Sequence, residues 1–288
     1  MMRRWLPYLF TSPAIIVFLL FFIYPIFYMI YLSFTSWDLI SPTKNFVGLQ
    51  NYKDLFFNPE FWQVLSNTIV YTILTVVISI VLSLLCAIWL NRKEWIYRFI
   101  QGAIFSPYII SLVSISLLWM WLMDPQYGLL NWLFSLVGLP PSKWLADTGS
   151  ALYSLVLVNV WKHIGYNTLI FIAGLQSIPK EIYEAAQIDR ASWWKKLTRI
   201  TIPMLSPTLF FLLIINTINS FQVFDNVQIM TQGGPVNSTN MLVYYIYQYG
   251  FDFFKIGYAS AAGVVLLLLV AIVTLFHFKF LSKRVHYR

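Results

Sequence analysis

The sequence predicts an all-α membrane protein with six transmembrane helices, forming a single membrane domain over residues 1–288. Two observations support this fold class. The chain is 59% hydrophobic and only 10% charged, whereas a soluble domain carries about 25% charged residues. Its apolar residues also fall into uncharged or nearly uncharged runs of about 20 residues or more, which is the length needed to cross a bilayer core of about 30 Å.

Six such runs follow one another along the chain. Each should be a helix, because backbone polar groups in lipid must be paired within the segment. The runs are also too uniformly apolar for the alternating strands of a membrane barrel. The first run is long, and no small-residue cleavage site follows it, so we expect a retained helix and not a cleaved signal. The expected spans cover residues 8–33, 69–90, 99–123, 151–178, 204–224 and 256–278.

Lysine and arginine set the expected orientation, because they concentrate in the cytoplasmic loops of membrane proteins. Lys44, Lys53, Lys143 and Lys255 lie in loops on one side, and Lys162 lies inside a span. All the other lysines and arginines lie on the opposite side. The basic side is therefore expected to be cytoplasmic, which places both termini inside and the longer loops outside.

The cytoplasmic loop at 179–203 carries the strongest functional signal. Pro179 suits the first turn of a helix, and Glu184 lies near the positive N-terminus of that helix. Ser192 can cap a second short helix before the next span. On physical grounds this is either a helix resting on lipid headgroups or one that docks on another protein. One face holds the residues at i, i+3, i+4 and i+7, which are Ile182, Ala185, Ala186 and Asp189.

Motifs along nearly the whole chain resemble those of one known family. They are Phe46-Val47-Gly48-Leu49-Gln50-Asn51-Tyr52, Glu184-Ala185-Ala186 followed by Ile188-Asp189, Ile200-Thr201-Ile202-Pro203, Thr231-Gln232-Gly233-Gly234-Pro235 and Gly257-Tyr258-Ala259-Ser260-Ala261. The chain resembles the sugar-type permeases of binding-protein-dependent ABC importers, of the maltose and glycerol-3-phosphate kind. It is similar to the first of the two permease chains that pair in such importers. The resemblance implies the type I ABC importer permease fold in a bacterial inner membrane.

The resemblance also implies roles for two loops. The loop at 179–203 is expected to dock as a coupling helix in a cleft of the ATPase. Arg190 stands where the family usually has glycine. Since a left-handed residue other than glycine costs roughly 1–2 kcal/mol, either the two short helices connect differently here or Arg190 accepts that strain. The expected coupling residues are Glu184, Ala185, Ala186, Asp189 and Arg190, and those expected to dock an extracytoplasmic solute-binding protein are Gly233, Gly234 and Pro235.

Polar side chains inside spans are costly in lipid, so they are candidates for a solute pathway. The fourth and fifth spans hold Asn159, Lys162, Tyr166, Asn219 and Ser220. Amides, hydroxyls and rings suit a hydroxyl-rich solute, and the family resemblance points to the same two helices. Each group could instead bond to a neighbouring helix. Lys162 could also reach the outer interface or meet an anionic solute.

Several kinds of chemistry lack their motifs in this sequence. No Gly-x-x-x-x-Gly-Lys-Ser/Thr phosphate loop is present, so the chain is not expected to be an enzyme. Two separate ATPase subunits would bind ATP and magnesium. The three histidines make no metal-ligand spacing, and no cofactor is expected on this chain. Its basic residues face the membrane surface, so lipid and not nucleic acid is an expected partner.

The expected function is ATP-driven import of a mono- or oligosaccharide, through a pathway formed with a second permease chain. Import of glycerol-3-phosphate or another sugar phosphate is the main alternative. A secondary transporter is disfavoured because no Asp or Glu lies clearly inside a span, where an ion-coupled carrier usually keeps one. An enzyme that acts on lipid is disfavoured because no histidine–carboxylate constellation is present.

Overall fold

The computed structural model describes residues 2–281, and helices dominate it. Lys283, Arg284 and Arg288, which contribute to the predicted orientation, lie outside the described residues. The elements in chain order are α1 (Met2–Phe18), α2 (Tyr24–Ser33), β1 (Thr35–Ser36), β2 (Asn45–Phe46), α3 (Gln50–Phe57), α4 (Pro59–Leu90), α5 (Trp95–Ile109), α6 (Leu112–Leu122), α7 (Leu129–Leu136), α8 (Ala151–Gln176), α9 (Lys180–Ile188), α10 (Trp193–Lys196), α11 (Ile202–Met204), α12 (Ser206–Phe221), α13 (Asp225–Met230), α14 (Leu242–Tyr247) and α15 (Ile256–Phe276).

The helices confirm the predicted membrane fold. Within residues 2–281, four unbroken helices are long and apolar enough to cross a membrane, and two bent helix pairs make six spans if each pair is one span. The unbroken spans are Phe10–Leu32, Pro59–Leu90, Ala151–Gln176 and Ile256–Lys279, and the bent pairs are Trp95–Ile109 with Leu112–Leu122 and Trp193–Met204 with Ser206–Phe221.

The helix of the second span begins at Pro59, ahead of residue 69, where the span was expected to start. The Asn58 side chain accepts a hydrogen bond from the Glu60 N–H at 3.0 Å, which caps the helix N-terminus. Further along, the Asn67 amide donates to the carbonyls of Asn237 and Asn240 at 2.8 and 3.1 Å. Residues 59–68, which precede the expected span, therefore belong to the helix.

The third span is not the continuous helix predicted over 99–123. α5 and α6 meet at an angle of 101°, and Ile110 and Ser111 between them are extended, with ψ of 142° and 136°. Pro107 lies inside α5 and has no N–H for the carbonyl of Ala103. The Ser106 hydroxyl donates to that carbonyl at 2.9 Å instead.

The fifth span also differs from its prediction over 204–224. A short helical segment from Trp193 to Met204 precedes α12 and meets it at 66°. This segment includes a π-helical turn over Leu197–Thr201. The bend falls after Pro203, and α12 has its own proline in the first turn, a position that suits proline because its missing N–H has no helical partner there.

Within residues 2–281, the chain forms two compact units, residues 2–62 with Tyr245–Leu268 and Gln63–Tyr244 with residues 269–281. In the first unit, β1 and β2 pair antiparallel. The Asn51 amide donates to the carbonyls of Ser33 and Thr35 at 2.8 and 2.9 Å. This buried side chain therefore ties α3 to the end of α2 and to β1.

The core of the second unit lies where α4, α8 and α12 meet, and it includes Val76, Phe171 and Leu212. α5 packs closely on α8 at Gly165, where an added Cβ would overlap the carbonyl of Ile104. A glycine at this contact lets the two backbones approach, as in other membrane helix pairs.

The substitution Gly165→Ala should therefore destabilise the second unit by about 1–3 kcal/mol, because the new methyl group overpacks the contact between α5 and α8. Gly102→Ala is the matched control, since open space surrounds Gly102 on the same helix pair and alanine favours the helix. Thermal unfolding of the two purified variants measures the difference. Equal stability of the two variants would show that the helices are not in contact at Gly165.

Candidate functional site

The loop at 179–203 folds into two short helices, as the sequence predicts. α9 begins directly after Pro179. Ser192 caps α10, and its side chain accepts a hydrogen bond from the Lys195 N–H at 3.4 Å.

The end of α9 explains how the chain accommodates Arg190. The Ala191 N–H donates to the Ala186 carbonyl at 2.9 Å, and the Arg190 N–H donates to the Gln187 carbonyl at 3.0 Å. This pair of hydrogen bonds is a Schellman motif, which requires a left-handed residue directly after the helix cap. Arg190 is that residue, with φ of 51°. Arg190 thus accepts the strain, and the two helices connect as a glycine would connect them.

A hydrogen bond ties α9 to the start of the fifth span. The Tyr183 hydroxyl donates to Thr201 Oγ1 at 2.9 Å, and Thr201 Oγ1 donates to the Lys196 carbonyl at 3.3 Å. Thr201 is buried in the π-helical turn that leads into the bend before α12. The hydrogen bond therefore joins α9 to the start of the fifth span.

The faces of α9 differ in exposure. Glu184, Ala185 and Asp189 are exposed, whereas Ala186 is buried against the chain itself. Ile188, which belongs to the motif but was not among the expected coupling residues, is 83% exposed. Its signal is an apolar side chain one turn after Glu184. An exposed isoleucine beside an exposed alanine suits a contact with another protein.

Lys162 lies inside the fold. Its side chain is buried, and Nζ donates to the carbonyls of Pro107, Tyr108 and Ile110 at 3.3, 3.3 and 2.6 Å. These carbonyls belong to the last turn of α5 and to the break after it, where no helical N–H reaches them. The ammonium thus satisfies the broken end of the third span, and its predicted place in the solute pathway remains a prediction.

Tyr166 belongs to an aromatic group beside this break. Its ring stacks on that of Tyr108, with centroids 4.5 Å apart. The ring of His163 meets Tyr108 edge-on at 5.8 Å, and His163 Nδ1 lies 2.9 Å from the Asn159 carbonyl. Tyr108 is a candidate that the sequence reasoning missed; its signal is an aromatic residue directly after a proline inside a span.

The remaining pathway candidates differ in their surroundings. Asn159 and Ser220 are buried, whereas Asn219 is exposed on α12. The buried pair Asn167 and Asn216 exchanges two amide hydrogen bonds, of 3.0 and 3.2 Å. Those amides join α8 to α12, while Asn219 faces away from the chain.

The loop at 231–240, on the predicted outer side, is held by its own hydrogen bonds. The Thr239 hydroxyl donates to the Gly234 carbonyl at 2.6 Å, and its oxygen lies 2.8 Å from Thr231 Oγ1. Gly233 is buried with φ of 79°, and Gly234-Pro235 is a cis peptide. Val236 at the tip is 82% exposed. Of the three predicted docking residues, Gly234 and Pro235 are half-buried, so the loop presents Val236 to its surroundings.

A polar cluster lies on the predicted outer side of the first unit. The Asn58 amide donates to the hydroxyls of Tyr245 and Tyr258 at 3.3 and 3.2 Å. Burial raises the pKa of Tyr249 above its ordinary value, and its hydroxyl donates to Glu60 Oε2 at 2.9 Å. An open cavity of about 700 Å³ lies beside this cluster.

No group of three or more histidine, cysteine, aspartate or glutamate side chains that could hold a metal ion occurs within residues 2–281. The polar groups of these residues form helix contacts, an exposed short helix and a folded loop at 231–240.

Residues 79–287 match the family described as "Binding-protein-dependent transport system inner membrane component". The chain belongs to this family. As a permease component it is 35% identical to the sn-glycerol-3-phosphate transport system permease protein UgpA of Agrobacterium fabrum, over 98% of this chain and 96% of that protein. It is 37% identical to the arabinooligosaccharides transport system permease protein AraP of Bacillus subtilis, over 95% of this chain and 87% of that protein.

The fold of this permease component is also similar to a solved structure. A chain of a bacterial ABC transporter involved in the import of the acidic polysaccharide alginate matches with a TM-score of 0.83 and 26% sequence identity. The match covers 98% of this chain and 96% of that chain. It confirms the type I ABC importer permease fold.

Arg190→Gly should stabilise the end of α9 locally, because glycine adopts a left-handed backbone without the cost of roughly 1–2 kcal/mol that arginine carries. Hydrogen exchange of the α9 amides should slow by about 5- to 30-fold. Gln187→Gly is the control, since it removes a helix-favouring residue from the same helix and should speed exchange. Unchanged exchange in Arg190→Gly would mean that the left-handed position is not strained.

Lys162→Met keeps the length of the side chain but removes the donors that satisfy the break in the third span. We expect a loss of about 1.5–3 kcal/mol of stability, which is typical for a buried hydrogen bond to a charged group. Denaturant titration of the purified protein measures this loss. Lys279→Met, a change at an exposed lysine near the end of the last span, serves as the control. If both variants unfold together with the wild type, Lys162 does not support the break.

Proposed function

We propose that this chain is the permease subunit of an ATP-driven importer that carries a mono- or oligosaccharide across a bacterial inner membrane. The observation that carries the proposal is the exposed helix α9, whose end is fixed by a Schellman motif, in a chain of this family. A permease that depends on a separate motor needs such a protruding element. Relatives named for arabinooligosaccharides and alginate support a hydroxyl-rich solute.

The coupling contact is formed by the exposed part of the loop. Glu184, Ala185 and Ile188 form the docking face of α9, and Asp189 and Arg190 extend it at the helix end. Ala186 supports this face from within, because it is buried and its carbonyl accepts the Ala191 N–H. The Tyr183–Thr201 hydrogen bond then passes the motion to the fifth span.

The solute meets the surface of this chain beside the break in the third span. The stacked rings of Tyr108 and Tyr166 offer an apolar face to a sugar ring, and Asn219 offers an exposed amide. Asn159, Lys162 and Ser220 are buried, so they hold the wall in place. This wall faces a second, different permease chain, which completes the pathway.

The assembly contains further partners. Two ATPase subunits bind ATP and magnesium, and this chain binds neither and catalyses no covalent chemistry. An extracytoplasmic solute-binding protein docks on the loop at 233–235 and on Val236. Both compact units belong to one membrane domain over residues 1–288, with both termini in the cytoplasm.

Import of a sugar phosphate is the second candidate, because the chain is 35% identical to a permease named for sn-glycerol-3-phosphate. The environment of Lys162 favours an uncharged sugar, since its ammonium already donates to three backbone carbonyls. Uptake of labelled arabinooligosaccharide and labelled glycerol-3-phosphate by the assembled importer separates the two candidates.

Ile188→Asp should weaken association with the ATPase by at least about 10-fold, because it places a charge in a contact that excludes water. Glu184→Ala should lower solute-stimulated ATP hydrolysis in the same complex. Ile40→Asp is the matched control: Ile40 is 78% exposed on the predicted outer side, against 83% for Ile188. Affinity purification of the tagged chain from its native membrane, followed by quantification of the bound ATPase, measures the effect. Full ATPase recovery with Ile188→Asp would refute the docking face.

A further inference from the structure

A basic cavity lies next to the start of α9, within the second unit. It has a volume of about 720 Å³ and is lined by the turn after α4, the first turns of α5, the end of α8 and the first turn of α9. Arg92, Lys93, Arg98 and Lys180 contribute cations to its lining. The carboxylates of the same segments, Glu94 and Glu181, are not among the lining residues.

Hydrogen bonds fix the frame of this cavity. The Gln101 amide donates to the Leu90 carbonyl at 2.8 Å, and the Gln176 amide donates to Asn91 Oδ1 at 3.2 Å. These bonds join α5 and α8 to the end of α4. The cavity wall is therefore built into the fold.

One cation is held in place while keeping free donors. The Arg92 Nη1 donates to the Tyr97 hydroxyl at 2.9 Å, and its guanidinium lies 5.1 Å from the centre of that ring. A guanidinium has five N–H donors, so this contact leaves several of them for a ligand. Four like charges around one cavity repel each other unless a counter-ion lies between them.

The surroundings of the cavity indicate which anion it takes. Trp95, one helical turn before Arg98, is 76% exposed, and Phe99 beside Arg98 is also exposed. Trp89, near the end of α4, is exposed as well and contacts Tyr97 edge-on at 6.0 Å. Exposed tryptophans beside basic residues are typical of the level of the lipid headgroups.

We propose that this cavity binds the phosphate headgroup of an acidic membrane phospholipid, with the acyl chains lying along Trp95 and Phe99. Basic cavities between helices on the cytoplasmic side of membrane proteins suit such headgroups. The Arg92 guanidinium binds phosphate oxygens in its planar geometry, and Lys93, Arg98 and Lys180 add point charges.

The lipid also touches the coupling loop. Lys180 is the first residue of α9, and Tyr183, which holds α9 to Thr201, lines the same cavity. An occupied site therefore fixes the base of α9. This lipid site goes beyond the proposed import function and does not depend on the identity of the solute.

An acidic segment of a partner protein is the competing occupant. The exposed Trp95 and Phe99 favour the lipid, because acyl chains would cover these two large apolar side chains. An acidic protein segment in water would leave them exposed beside the cations. Counting the bound lipid and the bound ATPase subunits in the same variants distinguishes the two occupants.

The test uses the complete transporter complex, purified and reconstituted in nanodiscs of phosphatidylcholine with or without phosphatidylglycerol. Native mass spectrometry counts the phosphatidylglycerol that stays bound. Lys93→Gln/Arg98→Gln should weaken phosphatidylglycerol binding on the order of 10- to 30-fold, since it removes two headgroup contacts. Lys195→Gln/Arg199→Gln is the control. It removes the same charge from exposed positions of the loop at 179–203 that do not line this cavity, so this variant should keep the lipid. Lys93→Arg/Arg98→Lys, which keeps the charge, should also keep it.

Four outcomes overturn the proposal. One is equal lipid retention in Lys93→Gln/Arg98→Gln and in the control. A second is loss of the ATPase subunits from that variant while the lipid stays bound, which assigns the cavity to a protein partner. The third is displacement of the lipid by inorganic phosphate at equal concentration, which assigns it to a soluble anion. Thermal unfolding in phosphatidylcholine alone checks that the variants fold. If Lys93→Gln/Arg98→Gln is unstable there, lipid retention is compared between Lys93→Arg/Arg98→Lys and the control instead. Lipid loss from this charge-preserving variant overturns the proposal.

Discussion

A backbone carbonyl that loses its helical partner at membrane depth needs another donor, because lipid supplies none. This constraint shapes the break between α5 and α6. The Lys162 ammonium donates to three carbonyls there. The Ser106 hydroxyl donates to the Ala103 carbonyl, for which Pro107 has no N–H. The aromatic group of Tyr108, Tyr166 and His163 is positioned by this break, so the proposed solute wall depends on a lysine that need not touch the solute.

The sequence predicts the membrane fold well, because the length and uniformity of apolar runs reflect a physical requirement of the bilayer. It predicts helix breaks and helix starts poorly. The start of α4 is set by the Asn58 cap and by Asn67, whose amide bonds to carbonyls far away in the chain. The break in the third span depends on Lys162, which lies on another helix. The Asn58 cap is a local contact, and the run Asn58-Pro59-Glu60 is a sequence signal for a helix start. The contacts of Asn67 and Lys162 are tertiary and leave no mark in the local composition.

The functional loop shows the same division. Its two helices and the Ser192 cap follow from local residue preferences. Which side of α9 faces outward does not, since it depends on where the rest of the chain covers the helix. Ala186 is buried and Ile188 is exposed, although helical periodicity alone placed Ala186 on the docking face. Arg190 shows that a strained backbone position can persist when two hydrogen bonds of a Schellman motif hold it.

The contact at Gly165 has a mechanical consequence. With no side chain between α5 and α8 at Gly165, the two backbones are in contact and have little room to slide or tilt independently. One turn earlier, Lys162 joins the same two helices through hydrogen bonds to carbonyls of α5. α5 and α8 are therefore expected to move as one rigid pair. The stacked rings of Tyr108 and Tyr166, one from each helix, would then move together with this pair. A rearrangement of this subunit is then expected to occur at other helix contacts, which would leave the geometry of the proposed solute wall unchanged.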